Sequence, residues 1–137
     1  MAGYSGTPLV KKLGIKEDSR VALVNAPENF QNVLGNLPAG VKFMKSTTKS
    51  LDLILFFVLS ERVLAKDFAK LAGRLTSNGM IWIAWPKKSS GVTTDLTFER
   101  VQRIGLEAGL VDVKICAIDD TWSGLKFVYR LKDRVKH

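Results

Sequence analysis

The sequence has 137 residues, of which 46% are hydrophobic and 25% charged, and its formal net charge is +8. This length suits one domain with one core, and the composition excludes both a disordered chain and a membrane span, because the apolar runs are only strand-sized. The positive charge suits anionic partners, namely nucleic acid, an acidic lipid surface or an anionic small ligand.

The chain opens on a predicted helix, followed by a strand that leads directly into a second helix. Thr7 as N-cap, Pro8 at the first helical position and Gly14 as the stop predict a short helix. Residues 20–25 (RVALVN) have the length of a buried strand. Residues 25–28 resemble a capping box, and apolar residues then recur at helical spacing at Phe30, Val33, Leu34 and Leu37. We therefore expect a strand and a helix in direct succession.

Two further strands follow with no helix between them. Residues 41–44 predict a short second strand, and residues 51–58 (LDLILFFV) predict a nearly continuous apolar strand. Such a strand is typical of the centre of a sheet that is covered on both faces. The link from Met44 to Leu51 is too short for a helical crossover. The second strand therefore either lies at an edge, with an extended return, or pairs antiparallel.

The middle of the chain predicts a long amphipathic helix and another buried strand. Ser60 is the expected cap of this helix, and the breaker at residues 77–79 (SNG) is its expected end. Its apolar stripe consists of Val63, Leu64, Phe68, Leu71 and Leu75. Residues 80–85 (MIWIAW) then have the length and composition of a buried strand.

The C-terminal part predicts a helix and a closing pair of strands. After a polar loop, residues 95–108 form the expected helix, which ends at Gly109. Its inward residues are expected to be Phe98, Val101, Ile104 and Ala108. Residues 111–118 and 125–130 alternate with period two, and a turn-rich segment at 119–124 separates them. These two segments predict an antiparallel hairpin.

Residue types suited to catalysis are scarce. Cys116 is the only cysteine and lies on an alternating strand, where a small buried hydrophobe is more common than a nucleophile. The only histidine, His137, is the last residue, where catalytic geometry cannot be held. Ser-His and Cys-His catalysis and histidine-based metal sites are thereby close to excluded, and no metal site is predicted.

Strands that alternate with helices predict one α/β domain over residues 1–137. We expect a three-layer Rossmann-like sandwich with a mostly parallel sheet, helices on both faces and a C-terminal antiparallel hairpin. Residues 131–137 are expected to form a flexible basic tail. The N-terminal residues lack the order of charged, apolar and small residues of a signal peptide, so we expect a cytoplasmic protein.

Ligands of open α/β sheets bind beyond the carboxyl ends of the strands, where three loops of this chain are expected. The loops cover residues 25–28, 57–61 and 85–95, and the third carries an aromatic side chain, two lysines and two hydroxyls before a helix. That combination suits a phosphate or carboxylate, with a merely solvated loop as the alternative. Trp122 either stacks on a planar ligand or covers the edge of the sheet. The residues expected to bind an anionic or nucleotide-like molecule are Asn25, Trp85, Lys87, Lys88, Ser89, Ser90, Gly91, Asp95, Trp122, Ser123 and Lys126.

The order of elements resembles a shortened class I methyltransferase, a family that uses S-adenosylmethionine. The resemblance rests on RVALVN as the first strand, LDLILFF as the central strand, a helix ending in LTSNGMIWIAWPK and the final hairpin LVDVKICAIDDTWSGLKFVYR. It implies a methyltransferase-like fold. The family's first strand carries an acid and a Gly-x-Gly turn, where this chain has Asn25, Ala26 and Pro27. The family's second strand ends in an acid that holds the ribose, where this chain has Met44 and Lys45.

A second resemblance spans nearly the whole chain. The segments GYSGTPLVKKLGI, WPKKSSGVTTDL and WSGLKFV are similar to a bacterial family of domains of unknown function, number three thousand and fifty-two in its series. This resemblance implies no particular reaction.

Three functions remain as hypotheses. The first is binding of an anionic, nucleotide-like molecule by the loop residues named above. The second is a methyltransferase with an atypical cofactor site, in which Asn25, Asp52 and Ser60 replace the missing acids. The third is binding of nucleic acid or a protein partner through the basic tail and surface lysines. The sequence predicts no membrane association, and it leaves the cofactor, any catalysis and the oligomeric state open.

Overall fold

A six-stranded mixed sheet forms the centre of the computed structural model, which describes residues 7–134. The strands are β1 (Arg20–Val24), β2 (Lys42–Phe43), β3 (Leu51–Phe57), β4 (Leu75–Pro86), β5 (Leu110–Ala117) and β6 (Trp122–Tyr129). Their order across the sheet is β2, β1, β3, β4, β6, β5. Strands β2, β1, β3 and β4 run parallel, whereas β6 pairs antiparallel with both β4 and β5. The predicted α/β Rossmann-like fold with a C-terminal antiparallel hairpin is confirmed.

Helices cover both faces of this sheet. The helices are α1 (Leu9–Leu13), α2 (Phe30–Leu34), α3 (Glu61–Ala72) and α4 (Phe98–Glu107). The apolar side chains of α3 and α4 belong to one buried cluster, and those of α1 and α2 belong to a second cluster on the other face. Strand β3 contributes Ile54 and Phe56 to the first cluster and Leu53 and Leu55 to the second. The continuous apolar run of β3 is thus explained by burial on both faces.

The second strand lies at an edge of the sheet. β2 pairs in parallel with β1, with Arg20 opposite Lys42 and Val21 opposite Phe43. The backbone N–H of Met44 still donates to the carbonyl of Val21, at 2.7 Å, before the chain turns back toward β3. Of the two arrangements open from the sequence, the structure therefore has the edge strand with an extended return.

The predicted capping box before α2 is wrong. The helix begins at Phe30, and Asn29 occupies its cap position with a left-handed φ of 65° and no side-chain cap bond. Helix α2 ends at Leu34, so Leu37 lies beyond it and is 36% exposed, whereas Val33 lies within the helix on its solvent side and is 51% exposed. A second left-handed residue, Asn25 at φ 57°, directly follows the last residue of β1.

The predicted end of the long helix is also wrong, although its Ser60 cap is confirmed. The α3 helix ends before Gly73, and Leu75 already pairs with Leu51 as the start of β4. The SNG segment at residues 77–79 is an irregular part of β4, where the register shifts. A Cβ on Gly79 would lie 2.9 Å from the carbonyl oxygen of Leu51, so close approach of another strand explains this glycine.

Three other boundaries shift by a few residues. Pro8, rather than Thr7, occupies the cap position of α1, while Gly14 ends it with a left-handed φ of 88°. Helix α4 begins after Thr97, whose side chain accepts the N–H of Arg100, and not at Asp95. Strand β6 begins at Trp122 and not at Leu125, because three residues of the predicted turn continue the pairing with β4.

Part of the predicted flexible tail is described. Residues Leu131–Asp133 form a single 3-10 turn, and the Arg134 side chain donates to the carbonyl of Tyr129 at 2.9 Å. Residues 135–137, with His137, lie outside the described residues, as do residues 1–6 at the other end.

Candidate functional site

Four loops meet at the carboxyl edge of the parallel strands. Three of them follow β1, β3 and β4, as the sequence predicts. The fourth is the turn between β5 and β6, because β6 runs antiparallel to β4 and begins opposite its last residue, with Pro86 paired to Trp122. The N–H of Lys87 donates to the carbonyl of Thr121 at 2.8 Å and joins the third loop to the fourth.

The first cavity at this edge lies where β1 ends, and we call it the β1 cleft. Its volume is about 620 Å³, and it is lined by Leu23, Asn25, Ala26, Pro27, Asn29, Phe30, Gln31 and Asn32. Four of these residues carry side-chain amides, which both donate and accept hydrogen bonds. No carboxylate is among the lining residues. The cleft is therefore polar but uncharged.

The second cavity lies where β4 ends and α4 begins, and we call it the lysine cleft. Its volume is about 750 Å³. Its lining residues are Trp85, Pro86, Lys87, Lys88, Gly91, Val92, Thr93, Thr94, Asp95, Leu96, Thr97, Phe98, Glu99, Arg100, Ile115 and Ser123. Apolar side chains from β4, β5 and α4 thus face one space with three cationic side chains and two carboxylates, which leaves one net positive charge for a ligand with an anionic group and an apolar body.

Hydrogen bonds within the 86–97 segment hold the lysine cleft in shape. The hydroxyl of Ser90 donates to the carbonyl of Lys87 at 2.7 Å and accepts the N–H of Val92 at 3.1 Å. Gly91 takes a left-handed φ of 77°, which closes the turn. Ser89 and Ser90 belong to a 3-10 turn, Lys88–Ser90, and do not line the cleft. The structure therefore assigns the Ser90 hydroxyl to loop geometry.

The far wall of the lysine cleft is anchored to α3. Asp95 accepts the backbone N–H of Glu61 at 2.8 Å, at the N-terminus of α3, where a carboxylate is favoured. The hydroxyl of Thr94 donates to the carbonyl of Leu59. Arg100 donates to the carbonyl of Asp95 at 2.8 Å and lies 3.5 Å from the Glu61 carboxylate. Sequence reasoning missed Arg100, because this cation reaches the cleft from the first turn of α4.

The structure brings together only part of the predicted ligand residues. Those that line the lysine cleft are Trp85, Lys87, Lys88, Gly91, Asp95 and Ser123, whereas Asn25 lines the β1 cleft. Trp122 packs edge-on against Phe57, with 5.0 Å between ring centroids, and belongs to the core cluster on the α1 face. Trp122 thus covers part of the sheet, and its role in stacking on a planar ligand stays a prediction.

Lys126 lies away from the carboxyl edge. It is opposite Trp82 in the ladder between β4 and β6, and its ammonium nitrogen is 5.8 Å from the Trp82 ring centroid. Burial lowers the pKa of Lys126, and the charges of Lys114 and Lys16 lower it further. The alternation of β6 separates Lys126 from Leu125, which packs in the cluster of the α4 face.

The three side chains proposed to replace the missing acids do not converge. Asp52 is near the start of β3, at the opposite edge from Asn25, and its carboxylate accepts the N–H of Arg20 at 2.9 Å. Ser60 accepts the N–H of Val63 at 3.1 Å as the cap of α3. Asp52 therefore lies outside a site at the carboxyl edge, whereas Asn25 lines the β1 cleft.

Comparison with solved structures shows a methyltransferase-like fold. A methyltransferase of Aquifex aeolicus that depends on S-adenosylmethionine matches with a TM-score of 0.62 and 13% identity, over 91% of this chain and 89% of that one. Fibrillarin of Aeropyrum pernix, solved with natively bound S-adenosyl-L-methionine, matches with a TM-score of 0.57 and 12% identity, over 92% and 70% of the two chains. Precorrin-6y C5,15-methyltransferase of Geobacter metallireducens matches with a TM-score of 0.59 and 9% identity, over 89% and 86%.

Sequence comparisons add no relative. No family model matches the sequence, and no curated protein is significantly similar to it in sequence.

Within residues 7–134, no helix is both long and apolar enough to cross a membrane. Over the same residues, no group of three or more histidine, cysteine, aspartate or glutamate side chains is placed to hold a metal ion.

Proposed function

We propose that this chain binds S-adenosylmethionine or a related adenosine compound in the β1 cleft, as a methyltransferase with an atypical cofactor site. The single observation that carries the proposal is a polar cavity at the carboxyl end of β1, in a methyltransferase-like fold. Ligands of such sheets bind at that edge. One solved neighbour, the Aeropyrum pernix fibrillarin, contains S-adenosyl-L-methionine.

The residues of the β1 cleft fit the nucleoside part of this ligand. Asn25, Asn29, Gln31 and Asn32 offer amides that can pair with ribose hydroxyls and with the edge of adenine. Leu23 offers apolar contact for the base. The methionine part of the ligand has an ammonium group, and no lining carboxylate is present to pair with it. We therefore expect the nucleoside to supply most of the binding free energy.

The reaction expected at this site, methyl transfer, requires few catalytic groups from the protein. S-adenosylmethionine, when bound, supplies a methyl group on a sulfonium, which a nucleophilic acceptor can take directly. The chain has only to hold the ligand and exclude water, and catalysis by alignment requires no histidine. The lysine cleft is at the same edge of the sheet and offers a second space for an acceptor molecule.

Isothermal titration of the full chain with S-adenosylmethionine, its demethylated product and adenosine tests this proposal. We expect all three to bind, with dissociation constants within about tenfold of one another, because the methionine part lacks a charged partner. Failure of all three to bind at roughly millimolar concentration would overturn the proposal.

Asn25→Gly is the informative variant, because glycine tolerates the left-handed φ of 57° and removes only the amide. We expect about tenfold weaker binding of all three compounds, the usual cost of one lost hydrogen bond. Ser50→Gly is the matched control, since Ser50 has a φ of 60° but precedes β3 at the other edge. Equal effects of the two variants would mean that backbone strain, and not the amide, determines binding.

The lysine cleft supports a second candidate function, which is binding of an anionic small molecule such as a phosphorylated compound. The ion pairs among residues 7–134 involve Arg100 but neither Lys87 nor Lys88. Both lysines therefore have their charge available for a ligand beside an apolar wall.

Thermal unfolding with pyrophosphate and adenosine triphosphate tests this candidate. We expect a rise of several degrees in the midpoint for the wild type when the ligand is at about a hundred times its dissociation constant. The double variant Lys87→Ala and Lys88→Ala should lose the shift, whereas Lys66→Ala and Lys70→Ala on the exposed side of α3 should keep it. Equal shifts in both double variants would rule out the lysine cleft as the anion site.

We also propose that the chain is a one-domain cytoplasmic member of the bacterial family of unknown function that it resembles. Two segments that carry this resemblance, WPKKSSGVTTDL and WSGLKFV, contribute residues to the lysine cleft. If the family has a common ligand, this cleft is where we expect it.

A further inference from the structure

A cluster of lysines covers the α1 side of the β5–β6 hairpin, away from both clefts. We call it the lysine face, and it consists of Lys12, Lys16, Lys114 and Lys126. Lys12 is in α1, Lys16 follows that helix, and the other two are on the paired strands β5 and β6. Neither cleft at the carboxyl edge includes any of the four.

Two of these lysines lie so close together that their charges repel each other and destabilise the sheet. Lys114 and Lys126 are directly opposite in the antiparallel ladder between β5 and β6. Like charges in that position destabilise a sheet. Their interaction is reflected in the lowered pKa of Lys126, for which burial is the largest cause and the charge of Lys114 the next. A bound anion would relieve this repulsion, because it would be attracted to both ammonium groups.

The protein itself does not neutralise the lysine face. The ion pairs among residues 7–134 join Lys70 to Asp67 and Glu61 to Arg100 and Arg103. All of these residues are on α3 and α4, which cover the other face of the sheet. The charges of the lysine face therefore remain available to a partner.

Hydrogen bonds to backbone carbonyls and one ring contact hold three of the four lysines in a defined arrangement. The ammonium of Lys12 donates to the carbonyl of Ala117 at 3.3 Å, and that of Lys114 donates to the carbonyl of Lys12 at 3.3 Å. The Lys126 ammonium lies over the ring of Trp82. These contacts join α1 to β5 and place Lys126 against β4, and a partner would therefore meet cations whose positions are already restricted.

We propose that the lysine face binds the phosphodiester backbone of a nucleic acid. The four cations are spread over a helix end and two strands on the outer side of the sheet, which suits a chain of phosphates better than one enclosed anion. The formal net charge of +8 favours the same partner. This surface is distinct from the β1 cleft, so the inference does not depend on the proposed cofactor.

Fluorescence anisotropy with labelled oligonucleotides tests the proposal on the full chain. The probes are single-stranded RNA, single-stranded DNA and duplex DNA of about 20 nucleotides, each titrated at several salt concentrations. We expect the double variant Lys114→Gln and Lys126→Gln to bind at least about tenfold more weakly, with a log-log salt slope reduced by roughly one to two units. The control Lys66→Gln and Lys70→Gln removes the same charge from the exposed side of α3 and should retain the wild-type slope. Equal losses in the two double variants, or no binding of any probe at low salt, would overturn the proposal.

Alkylation of the single cysteine provides a second test that requires no variant. Cys116 is half-buried beside Lys12, Lys114 and Lys126, and the charges of all three act on its thiol. We expect an oligonucleotide that binds the lysine face to slow alkylation of Cys116. Inorganic phosphate at the same total phosphate concentration should have no comparable effect. Equal protection by both would mean a site for a small anion and would contradict the nucleic-acid proposal.

Discussion

Gly105 illustrates how one residue can determine helix packing. It lies in the middle of α4, and a Cβ at this position would be 2.0 Å from Cε2 of Phe127. The Phe127 ring is fully buried and packs edge-on against Phe68, with 5.2 Å between ring centroids. The ring therefore has no free space in which to yield.

We predict that Gly105→Ala lowers the free energy of unfolding by about 1 to 3 kcal/mol, because overpacking outweighs the better helix propensity of alanine. Urea unfolding measures the change. Glu107→Ala, on the exposed side of the same helix, is the control and should change stability by less than about 0.5 kcal/mol. A more stable Gly105→Ala variant would mean that α4 does not pack against Phe127 as described.

Cys116 predicts a pH dependence of stability. Burial raises the pKa of its thiol above the ordinary value of 9.0, and this effect exceeds the opposite influence of Lys12, Lys114 and Lys126. The folded thiol thus keeps its proton to higher pH than the unfolded one. The resulting stability is present below the unfolded pKa and is lost as pH rises through the folded pKa.

We therefore expect the wild type to lose more stability than Cys116→Ala between about pH 8 and about pH 10. Chemical unfolding across that range measures the difference between the two proteins. The lowered pKa of Lys126 acts in the opposite direction, but it is present in both proteins and largely cancels. Parallel pH curves would show that the thiol is no more buried in the folded than in the unfolded chain.

At the scale of elements, a buried hydrogen bond holds α1 to the sheet, in addition to the exposed contacts of Lys12 and Lys114. The indole N–H of Trp82 donates to the carbonyl of Leu13 at 2.9 Å, and the Trp82 side chain is fully buried. The helix has only five residues, too few to be stable on its own. Its position, and with it that of Lys12, therefore depends on this contact.

We predict that Trp82→Phe lowers the free energy of unfolding by about 1 to 3 kcal/mol. Amide hydrogen exchange should then increase more in α1 than in α3. Exchange measured by NMR separates the two helices. Trp122→Phe is the matched control, because it makes the same replacement of an indole by a phenyl ring, here at the edge-on contact with Phe57. Uniformly faster exchange in both helices would indicate global destabilisation rather than release of α1.

The elements that local sequence defines were predicted correctly. The apolar run of β3 indicates burial on both faces, and Ser60 indicates the start of α3, since both signals are contained in a few neighbouring residues. Gly79 was misread as a helix stop because its cause is the carbonyl of Leu51, which is distant in sequence. Similarly, Asn29 as the cap of α2 depends on a left-handed backbone that asparagine permits but does not require.

The candidate site was predictable only within one loop. Lys87 and Lys88 follow a strand directly, and the carboxyl edge of the sheet is therefore their expected place. Arg100 reaches the same cleft from another element and was missed. Lys126 was placed in the site although the alternation of β6, with Leu125 inward toward α4, puts it on the opposite face. Strict use of that alternation would have placed Lys126 on the face away from Leu125.

At the scale of the whole molecule, the two faces of the sheet differ in their electrostatics. Ion pairs among residues 7–134 occur on the side of α3 and α4, whereas the lysine face lies on the side of α1. The carboxyl edge lies between them and contains the two clefts. The β1 cleft and the lysine face are therefore in separate places.

NMR mapping of backbone amides in the full chain, titrated with adenosine and with the demethylated product of S-adenosylmethionine, tests the central claim most directly. The account predicts shift changes concentrated in residues 23–32, around the β1 cleft, with smaller changes in the loop after β3. If residues 23–32 do not respond at roughly millimolar ligand, or if only residues 85–100 respond, the adenosine site in the β1 cleft is contradicted.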